Sequence, residues 1–177
     1  MNSRLLTLLP VVGLFLADCA SFDGRGLMAG EAVLDDVTRV MGRPKMEWLH
    51  PDGSRQLAYP RGPMGVKTFM ARLGPDGRLQ KIENVLTPEF FARITPAMTG
   101  DEVLRVLGPP EPSWTRYFEA RNELVWEWRY CDVWNQLARF DVLLDGAQKA
   151  VRSTMSLRES QIGACGGDDG ASCWCSH

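Results

Sequence analysis

The feature that most constrains this chain is an internal repeat. Shifting the sequence by 66 residues lays Asp36–Pro44 on Glu102–Pro110, and the same shift lays Trp48 on Trp114. Between positions 36 and 48, six of thirteen residues are identical to their partners: Val37, Arg39, Val40, Gly42, Pro44 and Trp48. Random pairing at ordinary residue frequencies gives about one. Such a repeat implies one supersecondary unit used twice. Each copy has little core of its own, so the two are expected to pack together.

Each copy opens with a short helix. In the second, Thr99-Gly-Asp-Glu102 has the form of a capping box, and Met98 and Val103 are placed as a hydrophobic staple. Val103, Leu104, Val106 and Leu107 recur at helical spacing. Gly108 is expected to stop the helix in a left-handed conformation, and Pro110 prevents its resumption. In the first copy Leu34, Val37, Val40 and Met41 repeat the apolar face and Gly42-Arg-Pro44 repeats the stop, with Gly30 as a poorer cap. Thr87-Pro88 starts a further helix that belongs to the second copy, and its weak counterpart in the first is expected within Phe22–Met28.

Strand-like sequence follows each helix. The first copy offers Arg55–Tyr59, Val66–Leu73 and Arg78–Val85, and the second Glu123–Tyr130, Gln136–Leu144 and Ala150–Met155. The Asp-Gly pairs 76–77 and 145–146 fall where hairpins turn. The expected fold is therefore α+β, two tandem units of a helix plus a three-stranded antiparallel meander.

The N-terminus is read as an export signal. Arg4 precedes thirteen uncharged residues, Leu5–Ala17, too short for a membrane span of roughly 20 residues and interrupted by Pro10 and Gly13. Leu16-Ala17-Asp18-Cys19 then resembles the lipobox of bacterial lipoproteins, in which cleavage leaves a lipid-bearing Cys. Asp18 stands where a small residue is usual. The alternative is an ordinary signal peptide with Cys19 as a free thiol. The expected organisation is a signal at 1–18, lipidated Cys19 and linker to 29, units at 30–86 and 87–157, and a Cys/Gly-rich tail at 158–177. Cys131, Cys165, Cys173 and Cys175 form an even set suited to an oxidising compartment, with no pairing readable from spacing. The three tail thiols and His177 also make up a Cys3His zinc donor set, but the spacing is not that of a zinc finger and no metal site is expected.

Composition removes several functions. With 20 Lys+Arg against 22 Asp+Glu, there is no basic excess for nucleic acid. Only His50 and His177 could serve as histidine bases. Asp35-Asp36 and Asp101-Glu102 sit at helix starts, where they complement the dipole, and Asp168-Asp169 lies among glycines. No phosphate loop, dinucleotide fingerprint or nucleophile elbow is present. No enzyme activity and no cofactor are expected.

The lipobox, the Ile94–Pro110 segment, the aromatic run Val125-Trp-Glu-Trp-Arg-Tyr130 and the Asp-Gly hairpin together resemble the SmpA/OmlA, or BamE, family of outer-membrane lipoproteins. Met98, Thr99, Val103, Leu107, Gly108 and Pro110 match the family pattern, and Ala97 replaces its usual Gly. The resemblance covers residues 88–157 well and 30–86 loosely. The tandem arrangement is similar to secreted β-lactamase-inhibitor proteins, which have two such units. The resemblance implies a lipoprotein on the periplasmic face of the outer membrane, acting without catalysis with the barrel-assembly machinery or another envelope protein. The alternative is a periplasmic binding or inhibitor module using the concave sheets of both units.

Candidate partner contacts are Trp48 and Trp114, placed between helix and strands, and Arg61 and Met64 in the stiff Tyr59-Pro-Arg-Gly-Pro-Met-Gly65 loop. Matching tryptophans suit a repeated packing role equally well. Trp126, Trp128 and Tyr130 share one strand face and are expected to pack inward, leaving Val125, Glu127 and Arg129 on a mixed, wet face.

Overall fold

The repeated motif folds into two eight-residue helices, α1 (Leu34–Met41) and α3 (Gly100–Leu107), with the one-turn α2 (Pro88–Phe91) between them. They are seen in a computed structural model that describes residues 23–61, 65–166 and 172–175. The α3 start is the capping box expected: the Thr99 hydroxyl accepts from the Glu102 amide at 3.3 Å, and the Glu102 carboxylate accepts from the Thr99 amide at 2.7 Å. Helix α1 starts later than Gly30. Its N-cap is Val33, whose amide donates to the Asp36 carboxylate at 3.1 Å, and an isolated bridge from Val33 to Arg78 pins that start to the sheet. Residues 23–28 form turns, not a counterpart of α2, because Gly24 and Gly26 adopt positive φ.

Each helix leads into a four-stranded antiparallel sheet rather than the expected three strands. Sheet one has the order β1 (Met46–Leu49), β2 (Arg55–Pro60), β3 (Thr68–Leu73), β4 (Leu79–Asn84). Sheet two has the order β5 (Arg116–Phe118), β6 (Glu123–Cys131), β7 (Leu137–Asp145), β8 (Val151–Arg158). The extra strands β1 and β5 span four and three residues. That is too short for period-2 alternation to stand out from a loop.

Helix α3 joins the two units. On sheet one, Leu57, Tyr59 and Leu73 pack with Val37 and Met41 of α1, while Ala58 and Met70 on the opposite face join a second core. That core also holds Val103 and Leu107 of α3, Phe90 and Phe91 of α2, and Trp128, Tyr130 and Phe140 of sheet two. Sheet one is thus covered on both faces, and four consecutive β2 residues, Gln56–Tyr59, are buried. Each fully buried Val or Leu of α3 contributes roughly 1.5–3 kcal/mol.

Two details fix this junction. Gln56, 2% exposed, donates to the Arg105 carbonyl at 2.5 Å and accepts from Arg72 at 3.0 Å. The Arg105 carbonyl belongs to the last turn of α3, where no intrahelical donor exists, so sheet one supplies the missing partner. Gly108 adopts φ 74°, ψ −173°, and a Cβ there would lie 2.9 Å from the Thr68 methyl and 3.4 Å from Ala58 Cβ. Gly42 has nearly the same dihedrals, φ 81°, ψ −165°, but open space around it. Both helix stops are therefore an extended conformation with positive φ, which essentially only glycine adopts, rather than the left-handed helical one.

Candidate functional site between the two units

Where the helix stops meet the strand ends, a groove of about 420 Å³ opens between the units. Sheet one contributes a cationic wall. Arg43 and Lys45 precede β1, Arg61 follows β2, and Lys67 precedes β3. Unit two contributes Pro109, Pro110, Pro112 and Trp114, together with Glu111, whose carboxylate accepts from the Ser113 hydroxyl at 2.8 Å, and Arg129, with Trp128 and Leu86 also lining the space. Proline has no amide hydrogen, so the Pro109, Pro110 and Pro112 part of this wall presents shape and apolar surface without backbone donors. The Trp128 indole N–H is used within the protein, donating to the Pro109 carbonyl at 3.1 Å, and its buried ring forms the floor of the groove. Tyr59 also lines the groove, and its hydroxyl is a buried group without a described partner. Burial, and the Glu47 charge secondarily, push that phenol up to about 12, so it stays a neutral donor at ordinary pH.

Trp114 is held by charges on the outer face of sheet two. The Arg139 guanidinium lies 4.7 Å from its ring centroid, a cation–π contact. Arg139 donates to Glu127 at 2.8 Å and to Glu159 at 3.1 Å, and Arg129 grips Glu159 with two bonds of 2.7 and 2.6 Å. This face is drier than expected. A 3-10 turn at Glu159–Ile162 folds back after β8, and Glu159 is only 1% exposed. Burial alone would raise the Glu159 carboxyl, but its bonds to Arg129 and Arg139 outweigh that and hold it below its ordinary value. On the same face Glu127 and Asp141, directly opposite each other on β6 and β7, share a hydrogen bond. Burial, then the Glu127 charge and that bond, push Asp141 up to about 7, and its Oδ1 is a buried atom without a described partner.

The tail is fastened beside the groove. Cys131–Cys175 and Cys165–Cys173 are disulfides, and Trp174 bridges to Gln136 in the β6–β7 turn. Trp174 and Cys175 line a smaller recess of about 300 Å³ that shares Arg61, Gly65, Lys67 and Arg129 with the groove. Among the described residues, no cluster of three or more His, Cys, Asp or Glu could hold a metal.

Of the residues singled out in the sequence, Arg61 and Trp114 line the groove. Trp48 does not: it is 7% exposed, sits on β1 in the shared core and has the Arg105 guanidinium 5.8 Å from its ring centroid. Met64 and Cys19 lie outside the described residues. Trp128 and Tyr130 pack inward, at 2% and 6% exposure, with the half-buried Trp126 against the same core. Sequence reasoning missed Arg43, Lys45 and Lys67. The available signal was that all three lie just before strands and within two residues of a proline or glycine.

No family model, curated protein or solved structure matches the chain. The class is therefore defined by the molecule itself: an α+β protein of two four-stranded antiparallel sheets with short helices, with a groove between its units.

Proposed function

We propose that this chain is an exported, non-catalytic binding protein, lipid-anchored through Cys19 at the periplasmic face of the outer membrane. Its role is that of an accessory subunit in outer-membrane protein assembly or envelope integrity. The observation that carries the binding role is the inter-unit groove, with four cations on one wall and three prolines and Trp114, beside Glu111 and Arg129, on the other. An apolar recess with a few convergent polar groups is the usual form of a recognition site. The two disulfides support an oxidising compartment. Among the described residues no helix is long and apolar enough to cross a membrane, and the assignment of the anchor to Cys19 rests on the lipobox resemblance. The helix-plus-meander repeat supports the likeness to BamE and to the two-unit inhibitor proteins.

A second reading follows from the groove lying between the units: it needs no membrane anchor, so a soluble periplasmic binding or inhibitor module has the same surface. Tagged full-length chain captured from detergent-solubilised envelopes tests both. Recovery of the barrel-assembly machinery in comparable amount supports the accessory role, provided Cys19→Ala releases the chain to the soluble fraction. A different stoichiometric partner, with function surviving Cys19→Ala, supports the soluble module. Absence of any stoichiometric partner overturns the binding role itself.

A further inference from the structure

We propose that the groove recognises an extended segment of a partner protein in which acidic and apolar side chains alternate. This rests on the binding role proposed above and names its ligand chemistry. Net formal charge is −2 over the whole chain, yet the sheet-one wall concentrates Arg43, Lys45, Arg61 and Lys67. Arg43, Lys45 and Lys67 are exposed and form no ion pair with any carboxylate among the described residues. A wall of that sign attracts anions.

The strand order settles how the anions are arranged. Because β1 and β3 flank β2, Lys45 and Lys67 stand on opposite sides of the β2 end. Lys45 is level with Tyr59 and Lys67 with Arg61, so at the usual strand spacing and rise the two lysines are about 12 Å apart, with Arg61 beside Lys67. In an extended peptide, side chains on one face recur about every 6.8 Å, so two or three acidic residues of one face span this wall. On the opposite wall the Glu111 carboxylate is taken up by Ser113 and Arg129 by Glu159, so Pro109, Pro110, Pro112 and Trp114 supply its contact surface, which suits an apolar second face of the same peptide. A lipid headgroup carries its charge at one end and matches this two-walled pattern poorly.

The test uses full-length chain purified with its disulfides intact and a fluorescein-labelled ten-residue peptide alternating glutamate and valine. The expected result is saturable binding by anisotropy that weakens as salt rises. Affinity should fall about tenfold or more in the double variant Lys45→Glu, Lys67→Glu. The variant Arg25→Glu, Lys149→Glu carries the same net charge change away from the groove and should bind as the parent does. A peptide with the same composition in two blocks should bind more weakly. Equal binding of a glutamine-for-glutamate peptide, or unchanged binding by the groove variant, overturns the proposal. So does retention of phosphatidylglycerol vesicles without peptide binding, which assigns the cations to a headgroup. An envelope partner captured in full by the groove variant keeps the binding role and overturns only this ligand assignment.

Discussion

Helices α1 and α3 are built from the same motif, yet they hold different positions in the molecule. Helix α1 packs on one face of one sheet. Helix α3 packs between two sheets, with Val103 and Leu107 in a core that includes residues of both units and with its last-turn carbonyl bonded to Gln56. The difference lies outside the motif, in what approaches it. Gly42 faces open space where Gly108 faces Thr68 and Ala58. A repeated sequence thus fixes a repeated local structure, while the neighbours decide whether that structure closes one unit or joins two.

The glycines give the largest contrast. Gly108→Ala combines a backbone conformation unsuited to a side chain with a clash against Thr68, at a cost of about 4 kcal/mol. Gly42→Ala carries only the backbone cost, about 2 kcal/mol. Urea unfolding of the two variants measures both, and equal losses would break the comparison.

Among the described residues the outer face of sheet two carries no α-helix, and the ion network around Glu159, in the 3-10 turn after β8, takes that place. Glu159→Gln leaves Arg129 and Arg139 without their buried anion and should cost about 3 kcal/mol. A fall in Trp114 fluorescence change on unfolding would show that the loosened Arg139 no longer holds the ring. The cap contrast is smaller. Thr99→Ala removes a hydroxyl acceptor from α3 and should cost about 1 kcal/mol, while Val33→Ala removes no side-chain hydrogen bond from α1 and should cost a few tenths of that.

The pH response separates the two carboxyls of the network. Asp141 is raised, so between its ordinary value near 4 and about 7 the folded chain holds a proton that the unfolded chain releases. Stability from this group therefore falls as pH rises through that window. Glu159 is lowered, so its contribution is present above its unfolded value and is lost as pH falls below it. Asp141→Asn should flatten the loss between pH 4 and 7 without changing the acid limb, measured as midpoint against pH. An unchanged profile would show that Asp141 ionises freely in the folded protein.

The repeat, the capping box at Thr99, the six longer strands and the inward aromatic stripe were all legible because each is a local pattern in residue type. Strands β1 and β5 were not, since three or four residues carry too little periodicity. The Trp48–Trp114 match was legible but ambiguous: one residue lies on a strand in the core and the other on a 3-10 turn at the groove. Gln56 and Glu159 could not be placed, because a buried polar residue looks like a surface one until its partner 49 or 30 positions away is known. The groove was half legible. Arg61 and Trp114 stood out by their loops, whereas Lys45 and Lys67 become neighbours only through the strand order.

The central claim is that α3 makes the two units one cooperative body. Hydrogen exchange along a denaturant series, read separately for β2–β3 and β6–β7 amides with the disulfides kept intact, tests it most directly. One common opening free energy for both sheets is the predicted result. Exchange of β2–β3 through a lower-energy opening while β6–β7 stays protected would contradict it, leaving two units that merely touch.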